Sequence, residues 1–264
     1  MNQEKKKFKI VTSKRTRYIL PNILTLGGVC LGISSIKFSI DGNFNLAVIF
    51  ILLAAILDAL DGRIARLIKA TSEFGKELDS LTDFVSFGIA PALILYFWTL
   101  NIYGKIGWAI TLIYSVCCVL RLARFNLTKI DESALWKQNY FEGIPSPIGA
   151  ILILLPLIYE LSGLKKDFNF EYAVPYLTAT VSLLLISKLP TYSFKKIRIS
   201  PNLTIFILLA IGISFFSLIF FTFETLLIFG LIYFITIPIA YATYRKNNKI
   251  FKDSTTEDEH EDVL

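Results

Sequence analysis

Long apolar blocks constrain this chain more than any other feature; Leu46–Leu57, Ala90–Leu100 and Ile205–Phe221 are three of them. Hydrophobic residues make up 54% of the 264 positions and charged residues only 18%. A soluble domain of this length needs far more polar surface. The blocks lack the period-2 alternation of transmembrane barrel strands. The sequence therefore predicts an all-α, polytopic helical membrane protein. Eight candidate spans follow: Ile19–Phe38, Phe44–Ile68, Leu78–Leu100, Gly107–Phe125, Gly143–Leu161, Tyr172–Ser187, Asn202–Phe221 and Thr225–Tyr244. Loop-like composition separates them, as at Asp41-Gly42-Asn43 and at 127–142.

Charge placement orients the spans. With the N-terminus inside, 23 of the 27 Lys and Arg fall on cytoplasmic segments, and only Lys37, Lys105, Lys165 and Lys166 fall outside. That bias predicts a multi-pass protein with both termini cytoplasmic. The basic stretch 1–18 reads as a retained cytoplasmic segment, because no small-residue cleavage pattern closes the apolar stretch after it. Residues 19–190 read as the membrane domain that carries the candidate site, and 191–244 as additional helices of the same domain. The segment 245–264 ends in an acidic stretch predicted to be a disordered cytoplasmic tail.

Two absences narrow the chemistry. Cys30, Cys117 and Cys118 lie in apolar segments without metal-ligand spacing and read as small packing residues. The single histidine, His260, sits in the acidic tail, so proton transfer or metal binding must rest on carboxylates.

Those carboxylates stand at Asp58, Asp61, Asp79 and Asp83, four aspartates within 26 residues. Ionised side chains in membrane segments are costly and mark functional sites. Asp58 and Asp61 are three apart and share a helix face; Asp79 and Asp83, four apart, share a face of the next helix. A turn near Thr71–Ser72 makes the two helices antiparallel neighbours and brings both pairs to the cytoplasmic end. Converging carboxylates repel unless cations sit between them. All-oxygen ligands suit Mg²⁺, Mn²⁺ or Ca²⁺. Gly62, Ala65 and Gly75 leave room for a large ligand beside the backbone, Arg66 offers a planar fork to phosphate, and Ser72 a hydroxyl donor.

At these residues the sequence resembles the CDP-alcohol phosphatidyltransferase family, whose pattern is D-x-x-D-G-x-x-A-R, eight residues, then G-x-x-x-D-x-x-x-D. Here it runs Asp58-Ala59-Leu60-Asp61-Gly62-Arg63-Ile64-Ala65-Arg66, then 67–74, then Gly75-Lys76-Glu77-Leu78-Asp79-Ser80-Leu81-Thr82-Asp83. Every fixed position matches. Arg17–Leu26, Ser72–Leu81, Val85–Ala92, Arg121–Asn126 and Gly143–Pro147 are similar to the membrane-embedded bacterial phosphatidylserine synthases of that family. The resemblance spans about residues 15 to 150.

The resemblance implies a metal-dependent transfer of the phosphatidyl group from CDP-diacylglycerol to L-serine. It implies two divalent ions, Mg²⁺ or Mn²⁺, one held by Asp58, Asp61 and Asp79 and the other by Asp58, Asp79 and Asp83. Asp83 is implied as the general base. Gly62, Arg66 and Ser72 are implied as contacts to the CDP-lipid, with Asn22 and Thr25 as further candidates. A homodimer is implied too, and no nucleic acid partner. The serine carboxylate needs a cationic fork, for which Arg121 and Arg124 are candidates; anchoring or lipid headgroup contact is their plainer explanation. Asn126 is a third candidate. Relatives use other acceptors, such as glycerol 3-phosphate or inositol; phosphorylated acceptors need more cationic side chains than Arg121 and Arg124 supply. A cation or proton transporter would place its acids at the midplane of repeated halves, and no internal repeat is visible here.

Overall fold

A computed structural model describes residues 19–68, 72–127, 140–164, 170–192 and 201–261. The basic segment 1–18, the connector at 69–71 and the last residues, 262–264, lie outside the described residues. The chain divides into two compact units between Ile94 and Leu95.

The first unit opens with α1 (Ile19–Ile40) and α2 (Phe44–Leu67). The buried face of α1 is made of Pro21, Thr25, Gly28, Gly32, Ser35 and Ser39. Apolar burial is a weak force between helices in lipid, so small residues that let backbones approach closely do the packing. Added to Gly27, a methyl group would meet the Leu57 side chain at 3.3 Å. Between the helices, Gly42 takes φ +76° in the turn and Asn43 caps α2, its side chain accepting from the Leu46 N–H at 3.3 Å. Phe38 on α1 and Phe50 on α2 pair edge-on across the turn, centroids 4.8 Å apart.

The third stretch is continuous from Glu73 to Trp98 but changes its winding. It begins as α3 (Glu73–Asp83), widens to a π-helix over Phe84–Ile89, and resumes as α4 (Ala90–Trp98). Pro91 has no N–H, so the carbonyls one turn before it lose a donor; the Ala90 N–H reaches back five residues to the Val85 carbonyl. The Ser86 hydroxyl donates to the Gly28 carbonyl at 3.1 Å, and a methyl on Gly32 would stand 2.7 Å from Ser86 Oγ. α1 is thus seated directly on the widened segment.

In the second unit, a 3-10 turn (Leu100–Tyr103) leads to α5 (Gly104–Leu127), with Gly104 at φ +55°. Then come α6 (Ser146–Leu161), α7 (Val174–Ile186), α8 (Pro201–Phe220) and α9 (Thr222–Glu261). α6 is apolar all round and buried from Ser146 to Ile158 on nearly every face, which makes it the central helix of this unit. α5, α7 and α9 pack around it. α8 packs on α9 and leaves Ile205, Phe206, Leu208 and Phe215 exposed by two thirds, a surface for lipid rather than water. Two three-residue strands, β1 (Tyr140–Glu142) and β2 (Pro190–Tyr192), pair antiparallel with Tyr140 opposite Tyr192.

The architecture is that of an all-α polytopic membrane protein. Each of the eight expected segments is helical. Five helical stretches reach spanning length and hydropathy: Ile19–Ile40, Phe44–Leu67, Glu73–Trp98, Leu100–Leu127 and Thr222–Asn247. The other three, Ser146–Leu161, Val174–Ile186 and Thr204–Phe220, are shorter apolar helices. At 1.5 Å per residue, α6 covers about 24 Å, less than the roughly 30 Å of a bilayer core. Cys117 and Cys118 are buried as expected, whereas Cys30 is exposed. The backbone of α9 stays helical to Glu261, where composition predicts disorder; no Gly or Pro interrupts the chain after Pro238.

Candidate active site

The last three turns of α2 and the length of α3 carry the motif acids. Carboxylate oxygens of Asp58, Asp61 and Asp79 all lie within 4.8 Å of one another. Asp61 is 4% exposed and Asp58 is half-buried. At 4.8 Å two unit charges repel by about 1 kcal/mol in water-like surroundings and by about 3.5 kcal/mol at an effective dielectric near 20. Three such pairs make the group a strong attractor for a divalent cation, and the donor set is all carboxylate oxygen, which suits a hard ion. Asp83 ends α3, one turn beyond Asp79, and lies outside this group of three.

Asp61 is held from the side by α1. The Thr25 hydroxyl donates to Asp61 Oδ2 at 2.6 Å, and Thr25 Oγ1 also lies 3.0 Å from the Pro21 carbonyl oxygen. Asn22 is one turn before Thr25, and a methyl on Gly75 would stand 3.5 Å from its Oδ1 and 3.1 Å from Ser72 Oγ. Ser72 is the N-cap of α3, accepting from the Gly75 N–H at 3.0 Å. Asn22, Ser72 and Gly75 therefore share one place at the start of α3.

Gly62 is different. It is exposed on α2 and a methyl there would meet nothing within 4 Å. Its helical conformation does not need glycine, and glycine costs a helix interior about 1 kcal/mol relative to alanine. Nothing inside the fold explains that cost. Arg66, also exposed, donates from Nε to the Gly62 carbonyl at 3.0 Å, which lays its guanidinium stem along the same surface.

In the second unit the structure separates the two arginines. Arg121 is 9% exposed; its Nη1 donates to the buried Ser146 hydroxyl at 2.8 Å, and its guanidinium carbon lies 5.7 Å from the Phe125 ring centroid. Ser146 is the first residue of α6, so Arg121 stands at a helix N-terminus, where partial positive charge gathers. Arg124 donates to three carbonyls at the end of α7: Ile186, Ser187 at 3.1 Å and Leu185 at 3.4 Å. It caps that helix. Gly143, at φ +78°, is pressed against the same carbonyls, 2.9 Å from those of Leu185 and Ser187 by the methyl measure. Asn126 is exposed on the last turn of α5.

The resemblance at Gly143–Pro147 gives Ser146 no role, and nothing in the sequence points to Thr191 or Tyr233. Thr191 Oγ1 donates to the Gly143 carbonyl at 2.7 Å. The Tyr233 hydroxyl faces Thr191 within electrostatic reach of Arg121 and closes no regular hydrogen bond to any described residue. No sequence signal joins these positions, which are brought together only by the packing of α9 on β2.

Residues 18–185 match the model of the CDP-alcohol phosphatidyltransferase family, a longer stretch than the sequence motifs alone cover. The chain is 36% identical over 185 residues to the CDP-diacylglycerol–serine O-phosphatidyltransferase of Mycobacterium tuberculosis, covering 70% of this chain and 64% of that protein. It is 35% identical over 197 residues to the protein of the same name from Helicobacter pylori, covering 75% of this chain and 81% of the relative. It is 36% identical over 180 residues to the archaetidylserine synthase of Methanothermobacter thermautotrophicus, covering 67% and 71%. The matched region thus spans just under two thirds of the mycobacterial relative's length.

Proposed function

The chain belongs to the CDP-alcohol phosphatidyltransferase family, and on that premise we propose that it transfers the phosphatidyl group of CDP-diacylglycerol to the hydroxyl of L-serine, releasing CMP. The observation that carries this reading is the convergence of Asp58, Asp61 and Asp79 at the family motif. The names of the relatives support serine as the acceptor.

Asp58, Asp61 and Asp79 would hold one divalent ion, and Asp58, Asp79 and Asp83 a second, Mg²⁺ or Mn²⁺ in each case. When bound, such ions neutralise the pyrophosphate oxygens and the departing nucleotide charge. Asp83 takes the proton from the serine hydroxyl. The serine oxygen bonds to the lipid-side phosphorus, the bond from that phosphorus to the bridging oxygen breaks, and CMP leaves with the electron pair. A carboxylate is a weak base toward an alcohol, so it acts as the alkoxide develops in the transition state. Gly62, Arg66, Ser72 and Asn22 take the CDP part of the lipid. The reading sets the site at the cytoplasmic side of a bacterial inner membrane, where serine enters and CMP leaves, in a homodimer with both termini cytoplasmic.

Arg121 is the better of the two serine-carboxylate candidates, because Arg124 already caps α7. The test is purified protein with labelled CDP-diacylglycerol and, in turn, serine, glycerol 3-phosphate, inositol and inositol phosphate. Serine-dependent CMP release is expected; its absence beside release with another acceptor overturns the serine reading. In the same assay Arg121→Lys should raise the KM for serine tenfold or more, as loss of a charge-assisted fork of roughly 1.5–3 kcal/mol requires. The KM for the lipid should stay within about twofold, because the fork binds the other substrate.

Gly62 gives a further expected outcome. Gly62→Ala should leave thermal stability equal or slightly higher, since alanine favours the helix. It should raise the KM for CDP-diacylglycerol about tenfold, the effect of one added methyl in a closely packed contact. Kinetics beside thermal unfolding in detergent separate the two effects. Wild-type kinetics would remove Gly62 from the lipid contact.

A further inference from the structure

We infer that Thr25 is a positioning residue that fixes the metal ligand Asp61, and is not itself a contact to the CDP-lipid. This rests on the reading of the three-aspartate group as a metal centre.

A threonine hydroxyl in a helix ordinarily donates to the carbonyl four residues back. Thr25 has that option, with the Pro21 carbonyl 3.0 Å away, but its shorter contact, 2.6 Å, is to Asp61 Oδ2. An ionised carboxylate only accepts, so the single hydroxyl proton lies toward Asp61, and this charge-assisted bond is the stronger one. Both groups are buried, Thr25 at 5% and Asp61 at 4% exposure. The bond therefore forms where water does not compete with it. One carboxylate oxygen held in this way fixes the orientation of the Asp61 carboxylate beside Asp58 and Asp79. Outer partners of this kind orient metal ligands, and their loss typically weakens metal binding ten- to hundredfold.

The fold holds Thr25 in register. Gly28 and Gly32 lie on the same α1 face, one and two turns on. A methyl on Gly28 would stand 3.1 Å from Thr82, and one on Gly32 would stand 3.0 Å from the Ser86 Cα. The Ser86 hydroxyl also bonds the Gly28 carbonyl. A one-residue slip would turn each side chain by about 100° around α1 and remove all three fits together. The close seat of α1 on the π-helical segment thus delivers a hydroxyl to a metal ligand on α2.

The probe is Mn²⁺ alone, with binding to the full-length, substrate-free protein in detergent followed by the electron paramagnetic resonance of free Mn²⁺. Thr25→Val keeps the branched shape and removes the donor; its Mn²⁺ dissociation constant should rise about tenfold. Thr25→Ser keeps the donor and should bind within about twofold of wild type. A contact to the nucleotide would leave substrate-free Mn²⁺ affinity unchanged in both variants, so wild-type affinity in Thr25→Val overturns the inference. A serine variant as weak as the valine variant also overturns it, since methyl packing would then be responsible. Asp61→Asn separates the two levels. Weak Mn²⁺ binding there beside wild-type binding in Thr25→Val rejects only the role of Thr25. Wild-type binding in Asp61→Asn rejects the metal-centre reading itself.

Discussion

Asp83→Asn is expected to lower serine-dependent CMP release by about 10²- to 10⁴-fold, the range that a positioned general base supplies. Asparagine has the same shape but accepts no proton at this pH, so the substitution tests chemistry and not packing. Asp83 has two proposed duties, base and ligand to the second ion, and these respond differently to metal concentration. If the loss came only from weaker ion binding, a large excess of Mn²⁺ would restore turnover. If Asp83 is the base, excess Mn²⁺ leaves the rate low. The position favours the second outcome. Asp83 is the final residue of α3, immediately before the π-helical segment Phe84–Ile89, and is not one of the three aspartates whose oxygens meet within 4.8 Å. Full activity in Asp83→Asn would remove the residue from the mechanism and pass the role of base to another carboxylate of the motif, since the single histidine is His260.

How much of this was legible in the sequence depends on the distance over which each feature is decided. Apolar runs gave the eight helical segments because helix formation and lipid burial are read locally. The uniformly apolar stretch Ile148–Ile158 gave no face to water, and it is the buried centre of its unit. Spacing placed Asp58 with Asp61 on one face, and the structure adds Asp79 to them. It did not separate Asp79 from Asp83, because an i, i+4 pair shares a face yet is displaced by about 6 Å along the axis. Pairings between distant residues were invisible. Tyr140 opposite Tyr192 and Arg124 on the Ser187 carbonyl join positions 52 and 63 residues apart. Neither stretch carries a periodicity that announces its partner. Thr25 looked like a substrate contact by resemblance alone; its bond to Asp61, 36 residues on, depends on how closely α1 approaches α2.

Asp79→Asn is expected to invert the usual relation between stability and activity. In metal-free wild type, three carboxylates face one another within 4.8 Å, and each charged pair costs between about 1 and 3.5 kcal/mol according to how far water screens it. At a pH where all three are ionised, removing one charge relieves two of the three pairs. Metal-free Asp79→Asn should therefore unfold several degrees above metal-free wild type. With Mn²⁺ the order should reverse. Wild type gains about 2.7 kcal/mol when the free ion stands at a hundred times its dissociation constant, while the variant, short of a ligand, gains little. Turnover should follow the ion and not the melting point: lost when a chelator is added to wild type, restored by Mg²⁺ or Mn²⁺, and low in Asp79→Asn at any metal concentration. Thermal unfolding of both proteins, with chelator and with Mn²⁺, supplies the four values needed. If the wild type melts higher than the variant without metal, the aspartates are stabilised by neighbours in the chain and the acid group is not built around an ion. If the variant is more stable without metal and less stable with it, the repulsion is what the metal site is made from.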